Sequence, residues 1–243
     1  LTLTALGVLA PCPAVAVDVN INLNATPFVN AGADTAICAG SNYTLNATIG
    51  GAATSATWTT LGSGTFANSS SLTTAYTPSA ADITNGMVGL VITTNDPAGP
   101  CDAAKDTIYI TIKPIPLLTI GAISAVCSGT AFSMPLSTNI SSPPASYVWN
   151  LIAPNPLPSG VSTTLSGSIA APSTALNSTA SNLTSSPVTL QYSITPTVNG
   201  CSGASVNGSV IINPLPQPVI TPPGPTTVCV GNTITLTTSV YSS

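Results

Sequence analysis

The sequence predicts an all-β chain of tandem β-sandwich repeats strung into a rod, with a truncated repeat at each end. Three observations predict it. Apolar residues alternate with period two in short runs, and no segment sustains a 3.6-residue period. Six cysteines fall into two alternating kinds at a repeating distance of about 90–100 residues, the size of one β-sandwich. Proline pairs recur at the points where those repeats would join.

The strands come first. Thr, Val and Ile are enriched in the alternating runs, and Gly, Pro, Asn and Ser separate them, as the pleated geometry and turn chemistry require. In one full repeat the pattern predicts strands near 43–49, 55–60, 72–77, 87–94 and 107–112, with one short helical turn over Ser79-Ala80-Ala81-Asp82-Ile83. In the next it predicts 131–137, 145–151, 161–169, 187–196 and 205–212.

The cysteines set the register. Ile37-Cys38-Ala39-Gly40, Val126-Cys127-Ser128-Gly129 and Val228-Cys229-Val230-Gly231 share apolar-Cys-x-Gly and open each repeat; these are the early cysteines. Cys12, Cys101 and Cys201 each precede an alternating strand; these are the late ones. The order along the chain is late, early–late, early–late, early. That order predicts part of a repeat over 1–28, complete repeats over 29–115 and 116–216, and part of another over 217–243. It also predicts the disulfides Cys38–Cys101 and Cys127–Cys201, with Cys12 and Cys229 paired outside the sequence. Each bridge would close a loop of roughly 60–75 residues, worth about 4 kcal/mol in the chain-entropy model. Zinc is disfavoured because the chain has neither His nor a CxxC pair.

Proline marks the joints. Lys113-Pro114-Ile115-Pro116 and Asn213-Pro214-Leu215-Pro216 follow the two predicted final strands at matching places. Alternating prolines favour an extended, stiff connection, which spaces domains along a rod. Trp58 and Trp149 lie 20 and 22 residues after their early cysteines. A single Trp at one place in each repeat reads as a core residue between sheets rather than an exposed sugar-stacking platform.

Composition excludes whole classes of function. Of 243 residues, two are Lys or Arg, six are Asp or Glu and none is His. Charged residues make up 3%, against roughly 25% in a typical soluble domain. General acid–base and nucleophilic catalysis need side chains that are nearly missing here, so no enzyme and no cofactor are expected. Two lysines cannot build the basic footprint that nucleic acid requires. The apolar stretch Leu6–Val17 holds Pro11 and Pro13 and is too short to span a bilayer, so no membrane insertion is expected. Calcium prefers six to eight oxygen ligands; Asp34, Asp96 and Asp102 are sparse for that and read as turn formers. A lysine–acid crosslink at Lys105 and Asp106 is disfavoured, because neighbours on a strand point to opposite faces.

Several segments carry a resemblance. Asn30-Ala31-Gly32-Ala33-Asp34-Thr35-Ala36-Ile37-Cys38-Ala39-Gly40, Ala56-Thr57-Trp58-Thr59-Thr60, Tyr76-Thr77-Pro78-Ser79-Ala80-Ala81-Asp82-Ile83 and Thr94-Asn95-Asp96-Pro97-Ala98-Gly99-Pro100-Cys101 resemble repeats of giant surface adhesins of gliding Bacteroidota. The second full repeat, with Tyr147-Val148-Trp149, is similar to the PKD-like (Ig-like) modules of such proteins, although the usual acids after the Trp are absent. The resemblance implies export by type IX secretion, display at the cell surface and a part in adhesion and gliding. It also implies O-glycosylation at Asp-Thr-apolar sites, here Thr35 and Thr107. The expected function is a structural, adhesive segment of an extracellular filament. The alternatives are a polysaccharide-binding module and an accessory domain of a secreted hydrolase. Expected partners are neighbouring repeats, then other surface proteins, lateral copies or polysaccharide.

Overall fold

A computed structural model describes residues 2–4, 16–20, 25–97, 101–216, 220–221, 230, 233 and 237–238. The chain divides into two compact units, Leu1–Pro114 and Ile115–Ser243. The described residues are all-β apart from one short helix. Two small antiparallel ladders lie outside the sandwiches: β1 (Thr2–Thr4) with β2 (Ala16–Asp18), and β22 (Ile220–Thr221) with β23 (Thr237–Thr238).

In the first unit the strands are β3 (Phe28–Asn30), β4 (Thr35–Cys38), β5 (Tyr43–Asn46), β6 (Thr48–Gly50), β7 (Ala56–Thr60), β8 (Thr65–Phe66), β9 (Thr73–Thr77), β10 (Met87–Thr94) and β11 (Lys105–Lys113). One sheet runs β4-β11-β10-β7; a second runs β5-β9-β8, and β3 pairs with β6. Alternation decides the inner face. Val88, Leu90 and Ile92 of β10, Ile108, Ile110 and Ile112 of β11 and Trp58 of β7 are buried, and Leu45 and Tyr76 of the second sheet join them in one core. Each such side chain contributes about 1.5–3 kcal/mol by leaving water. Helix α1 (Ala80–Asn85) enters β10 from Gly86, whose φ of 74° forms the left-handed cap that stops the helix.

The second unit has β12 (Leu118–Ile120), β13 (Val126–Cys127), β14 (Ala131–Thr138), β15 (Ser146–Ala153), β16 (Val161–Thr163), β17 (Ser166–Ile169), β18 (Ala175–Asn182), β19 (Val188–Val198), β20 (Cys201–Ser202) and β21 (Val206–Asn213). One sheet runs β12-β14-β18-β16, the facing one β13-β21-β19-β15-β17, with β20 on β19. Phe132, Met134, Leu136, Trp149, Leu176, Leu190, Tyr192, Ile194, Val210 and Ile212 fill the space between them. The single strand expected over 161–169 is two strands, and they belong to opposite sheets: β16 pairs with β18, β17 with β15.

Both units share a device that alternation does not reveal. The early-cysteine strand runs parallel to the last strand: Thr35 pairs with Ile110 and Cys38 with Lys113, while Val126 pairs with Ile212 and Cys127 with Asn213. A tight turn follows each. Ser41 N donates to Cys38 O at 3.1 Å and Thr130 N to Cys127 O at 3.0 Å, with Gly40 and Gly129 at φ 82° and 80°. A positive φ at the third turn position is why the motif ends in glycine.

Candidate functional site

The residues with the most chemistry are the cysteines, and strand direction decides what they can reach. Cys38 lies beside Lys113, the last residue of β11, while Cys101 sits in the loop before Lys105, the first. Eight residue steps along a strand span about 26 Å. Cys127 lies beside Asn213 at the end of β21, and Cys201, paired with Val198, lies before its start at Val206. Those seven steps span about 23 Å. A disulfide needs Cα atoms about 4.4–6.8 Å apart.

The predicted bridges Cys38–Cys101 and Cys127–Cys201 are therefore not formed. Cys101 and Cys127 are free thiols. Cys38 and Cys201 are each disulfide-bonded. The spacing pairs an early with a late cysteine of the same repeat and carries no information on strand direction. The parallel ladder puts them at opposite ends. Cys12 and Cys229, expected to pair elsewhere, lie outside the described residues.

Late Cys201 has a well-defined setting. Asn199 and Gly200, at φ 52° and 81°, make the two-residue turn that folds β20 back on β19, so Cys201 is buried at 1% exposure. The loop holding Cys101 is closed by Thr94: its N donates to Ala104 O at 2.9 Å, and its Oγ1 accepts from Ala104 N at 2.9 Å.

Thr35 and Thr107, the residues marked for glycosylation, are both half-buried, on β4 and β11. The aspartates before them work on the backbone. Asp34 Oδ1 accepts from Tyr109 N at 2.8 Å and so extends the parallel ladder by one bond. Asp106 Oδ2 accepts from Ala31 N at 2.8 Å and Oδ1 from Thr107 N at 2.8 Å, tying the start of β11 to the segment after β3.

The tryptophans lie in the two cores. Trp58 is 1% exposed and stacks on Phe66 at 6.2 Å; Trp149 is 7% exposed and meets Tyr192 edge-on at 5.5 Å. Trp58 Nε1 is buried with no hydrogen-bond partner among the described residues. Asp34, Asp96 and Asp102 do not converge, and no group of three metal-ligating side chains occurs among the described residues.

Two buried polar residues escaped sequence reading. Asp82, on α1, accepts from Tyr76 Oη at 2.9 Å, Ser79 N at 2.9 Å and Ser63 N at 3.1 Å, while Ser79 Oγ accepts from Asp82 N. Burial pushes its carboxyl up, but these hydrogen bonds outweigh burial and hold it below its ordinary value. Asn182, at the end of β18, donates from Nδ2 to Ile212 O at 2.8 Å and Ser186 O at 2.9 Å. Its Oδ1 accepts from Thr184 N and Thr184 Oγ1, and its N donates to Ser128 Oγ. The signal for Asp82 was present in Ser79-x-x-Asp82, a capping box; Asn182 had none that distinguishes it from other Asn-x-Thr triplets.

The outer faces could meet a ligand. On the first unit Tyr109 is 43% exposed and its ring lies across Gly89, its partner in β10, with Leu61 alongside. Around it stand Thr57, Thr59, Thr93, Thr107 and Thr111 at outward positions. In the second unit a cavity of about 190 Å³ lies between Leu136, Tyr147 and Pro172. That is below the roughly 300–1,000 Å³ of small-molecule sites.

Among the described residues no helix is long and apolar enough to cross a membrane. Comparison with curated proteins gives no match. Among solved structures, the chain is similar to sidekick-1 immunoglobulin domains 1–4, at 17% identity and TM-score 0.45, over 82% of this chain and 51% of that one. It is similar to mouse cadherin-23 EC22–24 at 15% identity and TM-score 0.42, over 82% and 69%. It is similar to the human desmocollin-1 ectodomain at 12% identity and TM-score 0.41, over 90% and 48%. The chain thus spans about half of the sidekick-1 chain it matches. Residues 124–216, nearly all of the second sandwich, match the family described as PKD-like domain, and the all-β fold is of this Ig-like/PKD-like kind.

Proposed function

We propose that this chain is a structural, adhesive segment of a long extracellular surface filament, one that spaces and presents an adhesin to a substratum. The observation that carries this reading is the repetition of one plan. Each unit has an early-cysteine strand parallel to its last strand, a cysteine at either end of that strand, and a proline-rich exit. Oxidised Cys38 and Cys201 fit an oxidising compartment outside the cytosol. Extra partial repeats over 1–28 and 217–243, export by type IX secretion, a part in gliding, and glycosylation of Thr35 or Thr107 belong to the same proposal. Its partners are neighbouring repeats, lateral copies or other surface proteins.

The second reading is a polysaccharide-binding module, and Tyr109 on its threonine face is the observation that favours it. One experiment separates them. The chain is stretched by force spectroscopy and, in parallel, applied to a glycan array. A spacer segment unfolds in two separate steps and leaves the array blank. Saturable glycan binding that disappears in Tyr109→Ala would replace the spacer reading with the second one.

A further inference from the structure

Three tyrosines are buried among the described residues, and one of them has nothing to bond. Tyr76 Oη meets Asp82 and Thr60, and Tyr192 Oη meets Thr163. Tyr147, 3% exposed near the start of β15, makes no hydrogen bond from its hydroxyl among the described residues. Burial raises that hydroxyl above its ordinary value with no hydrogen bond to offset it. Folded proteins ordinarily give a buried hydroxyl a partner. Nor is the atom sealed in. Among the described residues the enclosed side-chain atom without a partner is Trp58 Nε1. Tyr147 Oη therefore keeps a narrow opening, and the cavity of about 190 Å³ that Tyr147 lines is that opening.

The cavity is a cup at one end of the second sandwich, where the β14–β15 connection meets the turn between β17 and β18. Leu136, Ala145 and Tyr147 form its buried floor. Ser141, Pro172 and Ser173 stand exposed at its mouth. Its walls are tied in place: Leu136 N donates to Thr174 O at 2.8 Å, Ser173 N to Ala170 O at 3.1 Å and Thr138 Oγ1 to Ile140 O at 2.9 Å. A preformed cup loses little freedom when it fills. An apolar cavity of about 150 Å³ admits benzene, so this cup takes one six-membered ring with its substituents and no extended chain. Residues 115–243 carry no charged side chain, so nothing here selects an ion. Hydroxyls at the mouth and floor alternate with proline and leucine walls. A pyranose has the matching surface, hydroxyls around its edge and C–H groups on its faces.

We infer that this cup binds one neutral hexopyranose unit of a polysaccharide, with Tyr147 Oη bonding a sugar oxygen at the floor. The inference goes beyond the spacer reading and uses a different unit from the Tyr109 face. A ligand of about a dozen heavy atoms in an uncharged site binds with a dissociation constant on the order of 1 mM or weaker. A washed array does not retain such a complex, whereas many repeats in tandem would add the contacts by avidity.

The test is therefore made at equilibrium. The full chain is titrated with the methyl glycosides of glucose, galactose, mannose and N-acetylglucosamine, to about 50 mM so as to exceed the expected constant, and read by saturation-transfer NMR. Saturable transfer to at least one glycoside is expected. Tyr147→Phe should weaken it about five-fold, the effect of one hydrogen bond, and leave the urea midpoint of the second unit unchanged, because no internal bond is lost. Tyr109→Ala should leave binding unchanged. No saturable transfer to any of the four, binding indifferent to Tyr147→Phe or lost in Tyr109→Ala, or a clear loss of stability in Tyr147→Phe would each overturn the inference. So would Tyr147 ring shifts that appear with a Pro-Leu-Pro peptide and with no glycoside, which would make the cup a peptide site. None of these results bears on two-step unfolding, so failure here and failure of the spacer reading are distinguishable.

Discussion

The two sandwiches solve one structural problem with opposite chemistry. In both, a polar residue is buried just ahead of the long strand, β10 or β19, that pairs antiparallel with the last one. The first unit uses the carboxylate of Asp82 and the second the amide of Asn182, each 1% exposed. A carboxylate only accepts, so the first unit must gather donors around it: a capped helix, Tyr76 and the turn at Ser63. An amide both donates and accepts, so Asn182 joins β18 to the carbonyl of Ile212 and to its own turn with no helix at all. The difference extends to the whole surface. All six Asp and both Lys fall within 1–114; residues 115–243 carry no charged side chain. Solubility of the second unit rests on hydroxyls and amides, which supply no colloidal repulsion.

Breaking Asp82 should have the largest effect. Asp82→Ala removes the acceptor of Ser79 N, of the exposed Ser63 N and of Tyr76 Oη, which keeps Thr60 Oγ1 as a partner, and a buried unsatisfied donor costs about 1–3 kcal/mol. A loss of about 4 kcal/mol is expected in the first unit alone. Urea unfolding checks it through the two tryptophans: Trp149→Phe leaves Trp58 to report the first unit, and Trp58→Phe leaves Trp149 to report the second. Asn182→Ala should cost the second unit about 3 kcal/mol by exposing the carbonyl of Ile212 to an unfilled site, with the Trp58 transition unmoved. Equal shifts in both transitions would deny the two units separate anchors.

Acid should sharpen the contrast. The Asp82 carboxyl is held below its ordinary 3.8 when folded. Its contribution to stability is complete above that value and is lost as pH falls through the lower folded one. The Trp58 transition should weaken below about pH 4, while the Trp149 transition, in a unit without carboxylates, should not. The smallest effect concerns the tyrosines. Burial raises the hydroxyls of Tyr76 and Tyr192 above their ordinary 10.0, so both units should lose stability as pH rises past that value. Tyr192→Phe, which gives up only the bond to Thr163 Oγ1, should cost about 1 kcal/mol.

The sequence made the β class and most long strands legible because inward Val, Leu and Ile alternate cleanly, as in Leu190, Tyr192 and Ile194. It hid β18, whose inward residues include only Leu176 and Ala180 as apolar signals among Asn, Ser and Thr. It hid β4 and β13 as partners of the last strands, because periodicity carries no information about strand direction. That gap produced the wrong disulfides: alternation showed which cysteines share a repeat, but only the parallel register shows that they stand at opposite ends of it. The tight turn at Asn199-Gly200 was readable and would have placed Cys201.

The central claim is that cysteines within one repeat cannot meet. Native protein is alkylated without reduction, then cut with chymotrypsin, since two lysines give trypsin little to cleave. Mass mapping should find Cys101 and Cys127 alkylated and Cys38 and Cys201 protected in disulfide-linked peptides. A peptide joining Cys38 to Cys101, or Cys127 to Cys201, would contradict the parallel register on which the account is built.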